Sequence, residues 1–385
     1  MSKIVKPFIA IVFAVVLSIS AYAYTFEVDG IYYHYPGGEY RVYVTHGDYD
    51  VEGWYSPSYS GAVVIPATVT YEEQTYTVVG IHDNAFYGCE NLTSVTLPNT
   101  IEEIYQFAFQ GCTNLTSITL PNSIRLIEHD AFGSSGLISI TIPNGITTIE
   151  SGTFAGCASL TYVDLPTSLT TIEESAFAAC SSLSHIDIPS NVEFIGDNAF
   201  YNCTSLTSIN LPNITSINQG VFNGCTSLAI VKIPETVTSI GSRAFGECTA
   251  LDTVTCLAEV PPVLNYEAFY YVNTFEDVVL SVPCQKIPDY QGAENWLYFR
   301  RMVDDCGNSD IEKVDKETIL AVFPNPAKET ITLSVEEDVF IFNTLGQIVK
   351  QVNNTKGTVT ISVADLPNGT YYIKSGNKQQ RFIKE

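Results

Sequence analysis

The stretch AFQGCTNLTSITLPNSIRLI, running from Ala108 to Ile127, decides the fold. Within it Ile118 and Leu120 alternate with Ser117 and Thr119, the period-two pattern of a strand with one buried face. Pro121, which has no backbone N–H to give, ends that strand. Ile124 and Ile127 then lead to Ala131 and Phe132 at an irregular spacing, which predicts a tight turn and a short extended or single-turn helical segment on the opposite side. One such phrase is too short to bury its own apolar side chains. It recurs, because Phe86, Phe109, Phe132, Phe154, Phe177, Phe200, Phe222, Phe245 and Phe269 fall at steps of 22 to 24 residues. Copies of this kind must stack on their neighbours and share one continuous core, which is a solenoid.

Aligned copies read as columns. The inward strand column holds Val95, Ile118, Ile140, Val163, Ile186, Ile209, Val231 and Val254, a β-branched series suited to a parallel ladder with rungs about 4.8 Å apart. Copies three and six are one residue short, at Gly133 to Gly136 and around Asn213 to Ile217, where small bulges or tightened turns are expected. Seven of the ten cysteines, from Cys89 to Cys248, occupy one repeat position. They read as a buried column of small apolar side chains in preference to chained disulfides. Cys256 replaces an inward Leu or Ile and reads as core too. Cys284 and Cys306 stand outside the phrase, bracketing Trp296, and are the disulfide candidate.

Composition places this coil in an acidic, ordered, exported protein. Eighteen Lys plus Arg stand against 42 Asp plus Glu, a net charge of −24, while 45% of residues are hydrophobic. Nucleic acid and anionic lipid are poor partners for such a surface. Lys3 and Lys6 precede an apolar run from Phe8 to Ile19, and Ala21-Tyr22-Ala23 offers a peptidase site, so residues 1–23 read as a signal peptide. The run is shorter than the roughly 20 residues that span a bilayer, so no transmembrane segment is expected in the mature chain.

Domain limits follow from where the period fails. Residues 24–80 are rich in Tyr, Val and turn residues and read as a β-rich amino-terminal cap, with a tyrosine binding patch as the other reading. The coil spans 81–269, and a carboxyl-terminal cap spans 270–306, with Tyr290, Trp296, Leu297 and Phe299 folding over the last rung. Residues 307–318 are a polar linker. Residues 319–385 alternate again at Ile331, Leu333 and Val335 and predict a small β-sandwich. The fold class is therefore mostly β: a solenoid with a parallel strand ladder plus a small carboxyl-terminal β-sandwich.

Function must be sought on outward strand positions. One column runs Ser94, Ser117, Ser139, Tyr162, His185, Ser208, Ile230, Thr253 and the other Thr96, Thr119, Thr141, Asp164, Asp187, Asn210, Lys232, Thr255. Tyr162, Asp164, His185, Asp187, Asn210, Ile230 and Lys232 break the Ser/Thr monotony and form the candidate ligand-binding patch, against a plain solvated sheet face. As an acid–base or metal site, Asp164, His185 and Asp187 lack a desolvated cleft, and Asp164, Asp187 and Asn210 offer too few oxygens for calcium. There is no Walker-type glycine loop and no H-E-x-x-H, and Gly133 to Gly136 misses the nucleophile-elbow spacing. No catalytic residue, metal or cofactor is expected.

The repeat phrase from Phe86 to about Phe269 resembles the BspA-like leucine-rich-repeat family, whose copies carry the same Ala-Phe, Cys, Leu-Pro and paired Ile positions. That resemblance implies a surface protein that adheres to a host or extracellular-matrix protein, a glycan or another cell. It supplies no catalytic residues. A structural surface component without a ligand is the runner-up, and a glycan-processing enzyme, which needs paired acids about a cleft, the third reading. The terminal unit is similar to the type A sorting domain of the type IX secretion system. Phe323-Pro324-Asn325-Pro326, Asn343 to Gln347 with Gly346, and Leu366 to Tyr372 with Gly369 and Tyr371 carry this likeness. It implies passage through the type IX secretion machinery, with residues such as Gly346 and Gly369 as structural turn positions.

Overall fold

The computed structural model describes residues 24–47, 58–265, 267–272, 274, 277–306, 322–323, 325–335, 337–343, 348–353, 357–375 and 378–385. The signal peptide and the linker lie outside the described residues. The chain divides into two compact units, one ending at Asn308 and one beginning at Ser309.

In the first unit most coils contribute to two parallel ladders. The front ladder is built from the outward columns. It pairs Gly61–Val64 with Leu92–Thr96, Ser139–Thr141 with Tyr162–Asp164, and runs Ser208–Asn210, Ile230–Ile233, Thr253–Cys256, Val279–Val282, Arg301–Asp304 in order. The expected inward column is buried throughout, from Val95 to Val254. Two rungs differ from expectation, because Ser117–Thr119 and His185–Asp187 form no regular strand. Ile118 and Ile186 stay in the core all the same, so burial holds the coil where ladder hydrogen bonds do not.

The opposite side is extended, not helical. Two-residue strands such as Glu103–Ile104, Leu126–Ile127, Thr171–Ile172 and Ser239–Ile240 pair in register with their neighbours. The turn between the ladders is set by Pro. The N–H of Ile101, Ile124, Ile146, Leu169, Val192 and Val237 each returns to the carbonyl of the Pro three residues earlier. In the short sixth copy Ile214 reaches Pro212 at 2.7 Å, so the deleted residue is absorbed by a tighter turn. In the short third copy Gly136 lies against the Thr113 carbonyl, where a Cβ would overlap it.

Between the ladders each spine phenylalanine sits at a corner. From Phe86 to Phe245 its N–H donates to the Ala, Thr or Val carbonyl of the next coil, as in Phe109 to Ala131 at 2.7 Å and Phe177 to Ala199 at 2.8 Å. In the same coils the residues two before and two after it have φ between 53° and 78°, for instance Asp130, Ser175, Gly111 and Ala179. Left-handed backbone is costly outside Gly, Asn and Asp. Here it aims the Phe ring inward and the peptide planes along the axis. The rings from Phe86 to Phe269 stack with centroids 4.9–5.7 Å apart and planes within 16°. Tyr59 closes one end of the stack at 4.6 Å, and Phe299 closes the other edge-on at 5.0 Å.

The cysteine column has a second task beyond filling space. The thiols of Cys112, Cys157, Cys180, Cys203, Cys225 and Cys248 each donate to the spine Phe carbonyl of the preceding coil at 3.0–3.2 Å. Eight cysteines are buried and unbridged. Burial pushes the Cys203 and Cys248 thiols up to about 12, so they stay protonated donors. Cys284 and Cys306 form a disulfide with Cα atoms 5.1 Å apart, just past the paired rungs ending at Val282 and Asp304.

Both caps continue the coil. Arg41–Thr45 pairs parallel with Gln74–Ile81, which pairs with Glu103–Ile104, so the amino-terminal sheet flows into the back ladder. Tyr33 and Tyr59 are buried, and Tyr59 donates to Thr45 O at 2.6 Å; these two serve the cap's interior and not an exposed tyrosine patch. At the other end Tyr290 donates to Ala258 O and Trp296 to Pro262 O, both at 2.7 Å. The second unit is two antiparallel sheets around one core. Val322–Phe323, Thr330–Val335 and Gly357–Ser362 form one; Ile348–Val352, Val339–Phe342, Gly369–Ser375 and Lys378–Lys384 form the other.

Replacing Phe177 by Ala empties a fully buried slot between two stacked rings, and should cost about 3–5 kcal/mol in urea unfolding. Thiol titration of the native protein with a disulfide-exchange reagent should give almost no reaction. The same titration in denaturant should give eight thiols per chain.

Candidate functional site

All seven residues of the sequence-derived patch are exposed, five on front-ladder strands and His185 and Asp187 on the rung that forms no regular strand. Their backbone alternation with buried Val163, Ile186, Ile209 and Val231 forces them outward. Register sets Tyr162 beside Ser139 and Asp164 beside Thr141, and it sets Ile230 beside Ser208 and Lys232 beside Asn210. The structure thus joins Asn210, Ile230 and Lys232 directly. It joins His185 to Asp187 through an Nε2–Oδ1 contact of 3.0 Å. No regular pairing connects Tyr162 and Asp164 with His185 and Asp187. Tyr162 and Ile230 are 56% and 54% exposed.

Asp164, His185 and Asp187 do not bring three ligand atoms together. Among the described residues the one such group is Cys284, Asp304 and Cys306, whose sulfurs are already bonded to each other. Asp304 there accepts the Gln285 N–H at 3.1 Å.

In the sorting unit Asn325 Oδ1 accepts the Ile383 N–H at 2.9 Å, tying the start of the unit to its last strand. Tyr371 donates to Pro367 O at 2.8 Å and stacks on Phe382. Gly369 pairs with Lys384, and Pro326 is half-buried. Pro324 and Gly346 lie outside the described residues.

A second site was not among the sequence-derived candidates. Where the amino-terminal cap meets the back ladder, a cleft of about 670 Å³ gathers His34, His82 and His129, three of the five histidines. His34 and His82 rings lie 4.8 Å apart, and Tyr43 and Tyr105 rings 5.7 Å apart. Both tyrosine hydroxyls donate to Glu103, at 3.0 and 2.9 Å. Gln106 bridges Asp83 and Glu128 through its side chain and its N–H. Burial lowers His34, with the charge of His82 second; burial also lowers His82 against the pull of Asp83. Glu150 is raised by burial and then by Glu173 and Glu128. Its only sequence signal was an acidic residue following the paired Ile in successive copies.

A parallel two-ladder coil with Leu, Ile and stacked Phe inside defines a leucine-rich-repeat solenoid. Residues 79–207 and 193–295 match the BspA type leucine rich repeat region in six copies, more than half of the chain, and the protein belongs to that family. Residues 321–385 match the secretion system C-terminal sorting domain. A leucine rich cell surface protein from Faecalibacterium prausnitzii A2-165 is 24% identical, with 73% of this chain and 94% of that one covered, at a TM-score of 0.42. The T. pallidum leucine rich repeat protein is 29% identical, over 59% and 90%, at 0.40. No curated protein matches. The chain is an exported protein of the cell surface or extracellular space, and its sorting domain implies the type IX secretion machinery. No helix of the described residues is long and apolar enough to cross a membrane.

The shifted groups of the cleft set a pH dependence. His34 and His82 titrate lower when folded, so they contribute stability above about 6.5, lost as pH falls through their folded values. Glu150 titrates higher when folded, so its contribution is present in acid and lost as pH rises. In thermal unfolding across pH 5–8 the histidine contribution should therefore fall towards pH 5, and the Glu150 contribution should fall as pH rises. His82→Gln should flatten the fall towards pH 5, and Glu150→Gln should raise the midpoint at pH 7.

Proposed function

We propose that this protein is a non-enzymatic recognition protein, an adhesin whose middle front rungs dock a host or extracellular-matrix protein or another cell. The observation that carries the reading is the exposed aromatic and aliphatic pair, Tyr162 and Ile230, set among fixed charges on an otherwise Ser/Thr face. Docked interfaces draw their energy from such anchors once water is excluded around them. Asp164, Asp187 and Lys232 supply the polar rim that orients a partner.

A structural surface component without a ligand is the second reading, favoured by the uniform Ser94, Thr96, Ser117, Thr119, Ser139 and Thr141 face of the first rungs. The triple variant Tyr162→Ala, His185→Ala, Asp187→Ala separates the two. Its attachment to immobilised matrix proteins and to host cells should fall about tenfold or more, roughly 1.4 kcal/mol. Attachment equal to that of the unaltered chain would favour the coat.

A further inference from the structure

The cleft between the amino-terminal cap and the back ladder carries chemistry the front patch lacks. One wall is aromatic: His34 against His82, and Tyr105 within 5.9 Å of His82. The other is acidic, with Asp83, Glu128 and Glu150 lining the same space. Arg41, two residues before Tyr43 in the chain, is taken by Glu102 at 2.8 Å. Among the described residues no Lys or Arg pairs with Asp83, Glu128 or Glu150. Acidic groups then continue along the rod at Glu173, Glu174 and Asp197.

We propose that this cleft receives an arginine side chain carried on a polypeptide partner, its guanidinium face on the aromatic wall and its N–H edge on Glu128 and Glu150. Three arguments select that ligand. Carboxylates exclude anions, and their like-charge crowding is relieved by an incoming cation. Tyrosine and imidazole faces attract a cation within about 6 Å, and a planar guanidinium stacks on them while also bonding a carboxylate in bidentate fashion. The volume lies within the roughly 300–1,000 Å³ of ligand clefts, which is more than one side chain fills and leaves room for flanking backbone. The elevated Glu150 fits this arrangement, since its repulsion from Glu128 and Glu173 is what the guanidinium would offset.

The site is separate from the front patch, so the two stand or fall independently. The probe is a dye-labelled Gly/Ser heptapeptide carrying two arginines, and its twin carrying citrulline, which keeps the shape and removes the charge. Anisotropy is read with the whole chain at about 0.15 M salt, where diffuse attraction is screened. The arginine peptide should bind, and the citrulline twin should bind at least tenfold more weakly. Glu150→Gln, which removes no hydrogen bond, and Tyr105→Leu should each weaken binding about tenfold. Glu235→Gln, an equal charge change on a distant exposed residue, should leave it unchanged. The proposal is overturned by equal binding of the citrulline twin, or by equal losses from Glu235→Gln and Glu150→Gln. It is also overturned if an uncharged hexasaccharide binds the cleft and the arginine peptide does not.

Discussion

Ring stacking between equivalent phenylalanines is the constraint on which the rest of this structure depends. Backbone ladders repeat at about 4.8 Å and aromatic rings stack at a little more, so a ring at the same place in every coil satisfies both spacings together. Each supporting feature follows from keeping that ring in place. The residue before it, Ala in most coils and Thr153 or Val221 in two, is buried and offers its carbonyl to the ring-bearing residue of the coil before. Left-handed residues flank it because only that turn points the ring inward while its N–H reaches along the axis. The thiol of the following coil then takes up the carbonyl behind it, which would otherwise have one lone pair idle in an apolar interior.

A stack has ends, and an open end exposes a ring face to water. Tyr59 and Phe299 come from the two caps and close it, each by a different geometry. Because every coil touches only its neighbours, fraying at an end is the natural route of unfolding, and the caps are where extra fastening appears. The disulfide between Cys284 and Cys306 spans 22 residues, one coil's worth, and joins the last two front rungs. The buried hydroxyl of Tyr290 and indole of Trp296 tie the same region to carbonyls of the coil beneath.

Packing leaves the outward positions free to vary, and this is why recognition belongs there. The inward neighbour of Tyr162 is Val163, which the core dictates; Tyr162 itself is dictated by nothing within the chain. The front ladder offers a flat field on which Val64, Tyr162 and Ile230 stand exposed. The cap junction offers a concavity, because the amino-terminal sheet overhangs the back ladder where Tyr43 meets Tyr105.

Periodicity alone determined the coil, the inward column from Val95 to Val254, the buried cysteines and the outward patch, since all these are properties of a residue's place in a repeating phrase. The terminal motifs around Asn325 and Tyr371 marked the sorting unit in the same local way. What tertiary structure decided lies beyond that register. The extended back ladder was hidden because two residues are too few to show a strand period, and the loss of regular pairing at His185–Asp187 has no compositional mark. The gathering of His34, His82, His129 and Glu150 depends on the aperiodic cap folding back onto the coil. That His34 and Glu150, more than a hundred positions apart, line one cleft is written in packing and not in pattern.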